Sequence, residues 1–304
     1  MRAKTETSKD VLSFFIYKKS EVCVMENLGY YNGKFGSLEE MVVPFNDRVS
    51  FFGDGVYDAT NATNGKILFI DEHIDRFFNS AGLLKIKLPY TKDELKEILY
   101  DMLAKVDSDI NFVYWQQTRA TAPRNHAFPE APSNLWIMIK PATLKPYDEL
   151  IKLTDMEDHR FEYCNIKTLN LIPSVLAAQK AEEEGCDECV FHRGENVTEC
   201  AHSNISIIKD GVFKTHPLDH HVLPGIARAH LIKACKKNNI PVDETIFTMD
   251  ELRDADEVIV SSSSNFCMIA GTLNGKPIGG KDHETLMTIQ NEVVREYHEY
   301  CGIK

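Results

Sequence analysis

The chain has 304 residues, 43% of them hydrophobic, enough for one large domain or two modest ones. Its net charge of −12 and pI near 5.4 exclude a general nucleic-acid or anionic-membrane binder, because neither surface attracts an acidic protein. No run of about 18 apolar residues occurs, so no membrane span is expected, and the polar stretch Met1–Asp10 lacks the apolar core of a signal peptide. Eight cysteines without framework spacing, several inside apolar runs (Cys189, Cys235, Cys267), read as free thiols of a reducing cytoplasm. Cys186-Asp187-Glu188-Cys189 has no second pair behind it and reads as ordinary packing, so no metal site is expected.

In chain order, Val11–Tyr17 reads as a short strand, and Asn32-Gly33 marks a tight hairpin turn. Two strands, Gly53–Ala62 and Lys66–Ile70, are expected to join across Asn64-Gly65. Gly53 and Gly55 either mark a bulge or let the backbone pass close to another chain or a ligand. Asp71 is a good helix N-cap for the stripe Ile74, Phe77, Phe78, Ala81 and Leu84, with Arg76 at the stripe's edge. Thr91-Lys92-Asp93-Glu94 forms a capping box for a helix to about residue 106. Asn111–Arg119 reads as a strand with Phe112, Tyr114 and Gln116 on one face. Thr121–Pro132 is a loop carrying Arg124 and His126, and Leu135–Ile139 is a buried strand. The break Pro141–Pro146 divides the chain into a small domain (1–140), a linker (141–147) and a larger domain (148–304).

In the second half, a helix is expected over Ser174–Glu184, stopped by Gly185, then a strand over Glu188–His192. Asn204–Ile208 and Val212–His216 form a hairpin turning at Asp210-Gly211. A helix opened by Gly225 runs to Asn238, and Asp256–Ser261 is a short strand. Thr285–Tyr300 reads as a helix with Leu286, Ile289, Val293, Tyr297 and Cys301 on one face. Mixed hairpins and helices indicate an α+β fold with a barrel-like large domain. The lack of a Gly-x-Gly-x-x-Gly after a strand argues against a nicotinamide cofactor.

Four features of this order carry chemistry: Lys167 ahead of a helix, Glu199 behind Val197-Thr198, the helix start Leu223-Pro224-Gly225-Ile226-Ala227-Arg228, and the hydroxyl run Ser261–Ser264. Singly, each has an ordinary reading as a solvated lysine, a surface turn, a helix start or a polar loop. Together they supply what a phosphorylated pyridine aldehyde needs: a Schiff-base amine, an acid partner for the ring nitrogen, and phosphate donors.

These stretches occur in one order with Phe52-Gly53-Asp54-Gly55-Val56-Tyr57, Glu72-His73-Ile74-Asp75-Arg76, Thr118-Arg119 and Pro123-Arg124-Asn125-His126. In that order the chain resembles the fold-type IV (class IV) pyridoxal-phosphate aminotransferases, most closely their D-amino acid aminotransferase branch, over roughly residues 30–297. The resemblance implies a small α/β N-terminal domain, a larger barrel-like α+β domain, and pyridoxal 5′-phosphate carried by Lys167 with Glu199 on the ring nitrogen. It implies phosphate contacts from Arg76, Ile226, Ala227, Ser262 and Ser263, although Ala227 stands where a threonine is expected. Tyr57, Tyr114, Arg124 and His126 are the implied substrate residues, the last two gripping the α-carboxylate from the neighbouring subunit of a homodimer with shared sites. The implied reaction is transamination of a D-amino acid of the D-alanine type with a 2-oxo acid such as 2-oxoglutarate. Alternatives are a branched-chain L-amino acid aminotransferase, whose relatives lack the Arg-x-His, an aminodeoxychorismate lyase-like enzyme, and a non-catalytic scaffold. His202 stands where relatives usually carry a small residue.

Overall fold

The computed structural model describes residues 25–303; the strand expected over Val11–Tyr17 lies outside them. The first half is built on β1 (Leu28–Tyr31), β2 (Lys34–Gly36), the single-turn α1 (Val49–Phe52), β3 (Gly55–Thr63), β4 (Lys66–Ile67), α2 (Ile70–Leu83), α3 (Lys92–Leu103), β5 (Ile110–Thr118) and β6 (Asn134–Pro141). The strands form one antiparallel sheet in the order β2-β1-β6-β5-β3-β4. Side chains alternate across β5. Val113 and Trp115 join Ile74 and Phe77 of α2 and Leu95 and Leu99 of α3 in the core, while Phe112, Tyr114 and Gln116 face the other way.

Asp71 does not cap α2. The helix starts at Ile70 with Phe69 in the N-cap position, at a left-handed φ of 45°. Strand pairing stops at Ile67 because Leu68 and Phe69 are pulled into the core, where Phe69 stacks on His230 with ring centroids 3.9 Å apart. Asp71 sits in the first turn instead, 2.7 Å from Lys96 Nζ. The capping box of α3 forms as expected: Glu94 N donates to Thr91 Oγ1 at 3.2 Å and Thr91 N to Glu94 Oε2 at 2.7 Å, although the helix ends at Leu103.

Residues 142–149 connect to the second half: β7 (Leu150–Glu157), α4 (Ile172–Glu183), β8 (Glu188–Arg193), β9 (Asn196–Cys200), β10 (Asn204–Lys209), β11 (Val212–Thr215), α5 (Ile226–Lys237), β12 (Val242–Asp243), α6 (Met249–Asp254), β13 (Glu257–Ser261), β14 (Met268–Leu273), β15 (Lys276–Pro277) and α7 (His283–Cys301). The sheet runs β12-β11-β10-β13-β14-β7-β8-β9, with β15 on β14. It curls on itself. The distant neighbours β9 and β10 are consecutive in the chain, joined by a turn in which Cys200 N donates to Ser203 O at 2.7 Å. Ile151, Leu153, Val190, Val197, Ile205, Ile207, Val258 and Val260 form a core with Phe247 and Leu252, while α5 and α7 contribute to a second core. All three expected Asn-Gly or Asp-Gly turns have both residues at positive φ, as does a fourth at Asn274-Gly275. Strands β7 and β14, which the sequence reading missed, pair parallel with each other. No helix among the described residues is long and apolar enough to cross a membrane.

The five apolar positions read from α7 are all buried. Its last turns clasp the β3–β4 hairpin of the first sheet: Tyr297 Oη lies 2.8 Å from Thr63 Oγ1, Tyr300 Oη donates to Ile67 O at 3.2 Å, and Asn64 Nδ2 donates to Cys301 O at 3.3 Å. Tyr297→Phe leaves Thr63 without its buried partner and is expected to lower stability by about 1–2 kcal/mol. Urea unfolding followed by tryptophan fluorescence checks this, and an unchanged midpoint would show that the clasp contributes nothing.

Candidate active site

Lys167 is held by backbone pairing to the edge of β3. Tyr57 N donates to Lys167 O at 3.0 Å, Leu169 N to Gly55 O at 3.1 Å, and Lys167 N to Ser80 Oγ of α2 at 3.2 Å. Gly53, after α1, and Gly55, the first residue of β3, make room for this approach. A Cβ on Gly55 would lie 2.6 Å from both Gln117 O and Leu169 Cδ1, and one on Gly53 would lie 2.9 Å from Asn170 Oδ1 at a φ of +60°. The close approach is therefore to the chain's own lysine segment. Lys167 Nζ sits 4.4 Å from the centre of the Tyr57 ring, which stacks on Tyr114 at 5.5 Å. Tyr57 lines the cavity with the lysine, while Tyr114 backs Tyr57 and donates to Gln116 Oε1 at 2.7 Å.

Glu199 reaches the same cavity from β9 and is 6% exposed. Three donors converge on its carboxylate: Arg160 Nη1 on Oε1, and Asn204 Nδ2 and Leu223 N on Oε2, both at 2.9 Å. Burial pushes the Glu199 carboxyl above its ordinary value, against the opposing pull of Arg160, the Leu223 amide and Lys167. Arg160 is itself fixed by Asp158, which accepts from Nε at 3.0 Å and Nη2 at 2.9 Å. The sequence reading missed Arg160. In the run Asp158-His159-Arg160 it reads as one more solvated charge.

The start of α5 also lines the cavity. Gly225 is its N-cap without a side-chain cap, so the first-turn N–H groups at Ile226 and Ala227 keep their donor capacity toward the cavity that both residues line. Arg76 lines the same end. Its Nε and Nη2 donate to Asp58 at 2.9 and 2.7 Å, and Nη1 donates to Pro224 O at 3.2 Å. Burial works to raise the Asp58 carboxyl, but Arg76 and His73 together hold it well below the ordinary carboxylate range. Burial also pushes the His73 imidazole down, against the pull of Asp58 2.8 Å from its Nδ1. The sequence reading gives Asp58 and His73 no role. The only signal is a carboxylate inside a strand and a histidine one helical turn before Arg76. Ser262 and Ser263 also line the cavity, and among the described residues the buried Ser261 Oγ beside them has no hydrogen-bond partner.

The cavity these residues enclose measures about 270 Å³. Arg124 and His126 are not part of it; both are exposed. They flank Phe52, with Arg124 Cζ 5.2 Å and the His126 ring 5.1 Å from its centre. Arg48 pins their loop by donating to the carbonyls of Asn125, His126 and Ala127.

The first turn of α5 and the Glu199 cluster meet at Gly225, where a Cβ would lie 1.9 Å from Asn204 Oδ1. Gly225→Ala is expected to cost about 1–3 kcal/mol by overpacking and much less in an Asn204→Ala background, where the obstacle is gone. Chemical denaturation of the two single variants and the double variant measures this coupling; equal costs in both backgrounds would refute the contact.

Comparison with known proteins places these features in a family. Residues 55–270 match the model for amino-transferase class IV. A D-alanine aminotransferase from Listeria monocytogenes is 39% identical over 279 residues, 89% of this chain and 96% of the relative. One from Staphylococcus aureus is 40% identical over 253 residues, 82% and 90%. The fold matches that of the Escherichia coli branched-chain amino acid aminotransferase, with a TM-score of 0.81 and 20% identity over 90% of this chain and 95% of that one. It also matches a branched-chain aminotransferase from Thermoproteus uzoniensis solved with norvaline, at a TM-score of 0.82 and 19% identity over 91% and 95%. The chain belongs to the class IV aminotransferase family.

Proposed function

We propose that this protein transaminates D-amino acids of the D-alanine type with a 2-oxo acid such as 2-oxoglutarate, using pyridoxal 5′-phosphate. One observation carries this reading: Lys167, the buried carboxylate of Glu199, the uncapped start of α5 and Arg76 all line one cavity. The donor set fits the cofactor. Ile226 and Ala227 N–H, Arg76, Ser262 and Ser263 suit a phosphate. The Glu199 carboxylate, with about four lone-pair sites, accepts from three donors and retains capacity for a ring N–H. Bound there, pyridoxal 5′-phosphate supplies an electron sink for charge developing at the substrate α-carbon. Glu199 would hold the proton on the ring nitrogen, with Arg160 and the Leu223 amide favouring its ionised form against burial and Asn204 helping to aim it. Lys167 would carry the cofactor and then move the proton to and from the α-carbon, and Tyr57, backed by Tyr114, would shape the substrate side of the cavity.

Arg124 and His126 are assigned to the α-carboxylate of a substrate bound to the neighbouring subunit, in a homodimer with shared sites. Their exposure and the absence of both from this chain's cavity support that assignment. So does the apolar surface around the cavity mouth: Phe161 and Tyr163 line the cavity yet are 62% and 65% exposed, and Ile172, Val175 and Leu176 of α4 are exposed nearby in the chain. The Arg-x-His clamp is the feature that favours the D series, and the D-alanine aminotransferases of Listeria and Staphylococcus are relatives at 39–40% identity. The unpaired Cys164, Cys186, Cys189, Cys200, Cys235, Cys267 and Cys301 support a reducing, cytoplasmic location.

With 2-oxoglutarate as acceptor, D-alanine should turn over with kcat/KM at least about 100-fold above that of L-alanine or L-leucine, roughly 2.7 kcal/mol in transition-state binding. A preference for L-leucine would assign the chain to the branched-chain group instead. Glu199→Gln keeps the shape without the charge and should slow turnover by at least about two orders of magnitude; a rate within threefold of the unmodified enzyme would remove Glu199 from its role. Mixed dimers of the inactive Lys167→Ala and Arg124→Ala variants should regain activity, and verified hybrids without it would refute the shared site.

A further inference from the structure

His202 lies in the three-residue turn between β9 and β10, on the wall of the cavity. Its imidazole is anchored from behind. Glu188, 3% exposed, places Oε2 3.1 Å from His202 Nδ1, and the same oxygen accepts from Ser203 Oγ at 2.9 Å while Oε1 accepts from Cys189 N at 3.0 Å. A ring held at Nδ1 by a fixed carboxylate leaves Nε2 as its second polar atom, an N–H donor when the ring is protonated, and among the described residues no second partner for the ring is found. Burial draws the imidazole's pKa down, but the contact with Glu188 outweighs it and leaves the pKa raised. The other cations around the cavity are committed: Arg76 to Asp58, Arg160 to Asp158 and Glu199, and Lys167 to the reaction itself.

We propose that His202, held by Glu188, is the specificity residue that binds the side-chain carboxylate of a dicarboxylic substrate, the 2-oxoglutarate and D-glutamate half of the reaction. The proposal rests on the transaminase reading. In that reading the α-carboxylate is taken by the neighbouring subunit's arginine and histidine, so a second carboxylate on the substrate needs its own cation. His202 supplies it as an N–H donor carrying positive charge, the stronger kind of hydrogen bond to a carboxylate. A methyl side chain makes no demand on it. The His202 side chain is 62% exposed, so it stays hydrated when no carboxylate reaches it, and one cavity serves both a neutral and an acidic partner.

The test uses the cofactor-loaded enzyme in single turnover with D-glutamate or D-alanine, comparing the original protein with His202→Gln and His202→Lys. The expected result is a fall of at least about tenfold in the D-glutamate to D-alanine ratio in His202→Gln, carried by apparent affinity and not by the limiting rate. Preservation of the ratio within about threefold in His202→Lys is expected, since the charge remains. A ratio in His202→Gln within about twofold of the original, or an equal fall in His202→Lys, overturns the proposal. Turnover of D-alanine but not of D-glutamate by the original enzyme overturns this proposal alone. Turnover of neither overturns the transaminase reading, and this one with it.

Discussion

A carboxylate buried to 6% exposure dictates the architecture around it. Taken out of water, Glu199 needs donors, and each donor makes a further demand. Arg160 brings a second charge into the interior, so Asp158 must follow, and Arg193 Nε lies a further 3.3 Å from Asp158. Asn204 can donate both to Glu199 Oε2 and to Leu223 O only if the chain beside it carries no side chain, which sets a glycine at 225. That same glycine begins α5 without a capping side chain, so the helix start stays available to an anion. The two ends of the cavity are thus one construction, joined at a 1.9 Å steric limit.

The lysine is placed by a second constraint that ties the two halves together. Its segment adds to the edge of β3 through backbone bonds to Gly55 and Tyr57, which only glycine at 55 permits. The residue after Tyr57 is Asp58, whose carboxylate orients Arg76 and His73 from the other face of the strand. Alternation along one strand therefore presents Tyr57 to the lysine and Asp58 to the arginine. The clasp of α7 onto the β3–β4 hairpin holds this strand against the second sheet.

Much of this was legible in the residues. Period-2 and period-3.6 patterns located most strands and helices, and Asn-Gly and Asp-Gly turns gave hairpins wherever both residues needed positive φ. Ordered motifs pointed to Lys167, Glu199 and Arg76, which the fold brings to one cavity. What escaped was decided by distant contacts. Strand β7 follows a proline-broken linker and ends among acidic residues, and its partners β8 and β14 lie parallel to it across long crossovers that leave no local mark. The start of α2 at Ile70 depends on Phe69 finding His230, far along the chain. Arg160, Asp58 and Asn204 bear no motif of their own; their meaning comes from the charge they face, which no spacing reveals.

The central claim is that Lys167 is the cofactor-bearing amine, made so by its pairing to β3 on the wall of the cavity that Glu199 also lines. Borohydride reduction of the protein loaded with pyridoxal 5′-phosphate, followed by peptide mapping, tests it directly. The account predicts a pyridoxyl adduct on the peptide containing Lys167 and on no other, and its loss in Lys167→Ala. An adduct on any other lysine in the original protein would contradict it.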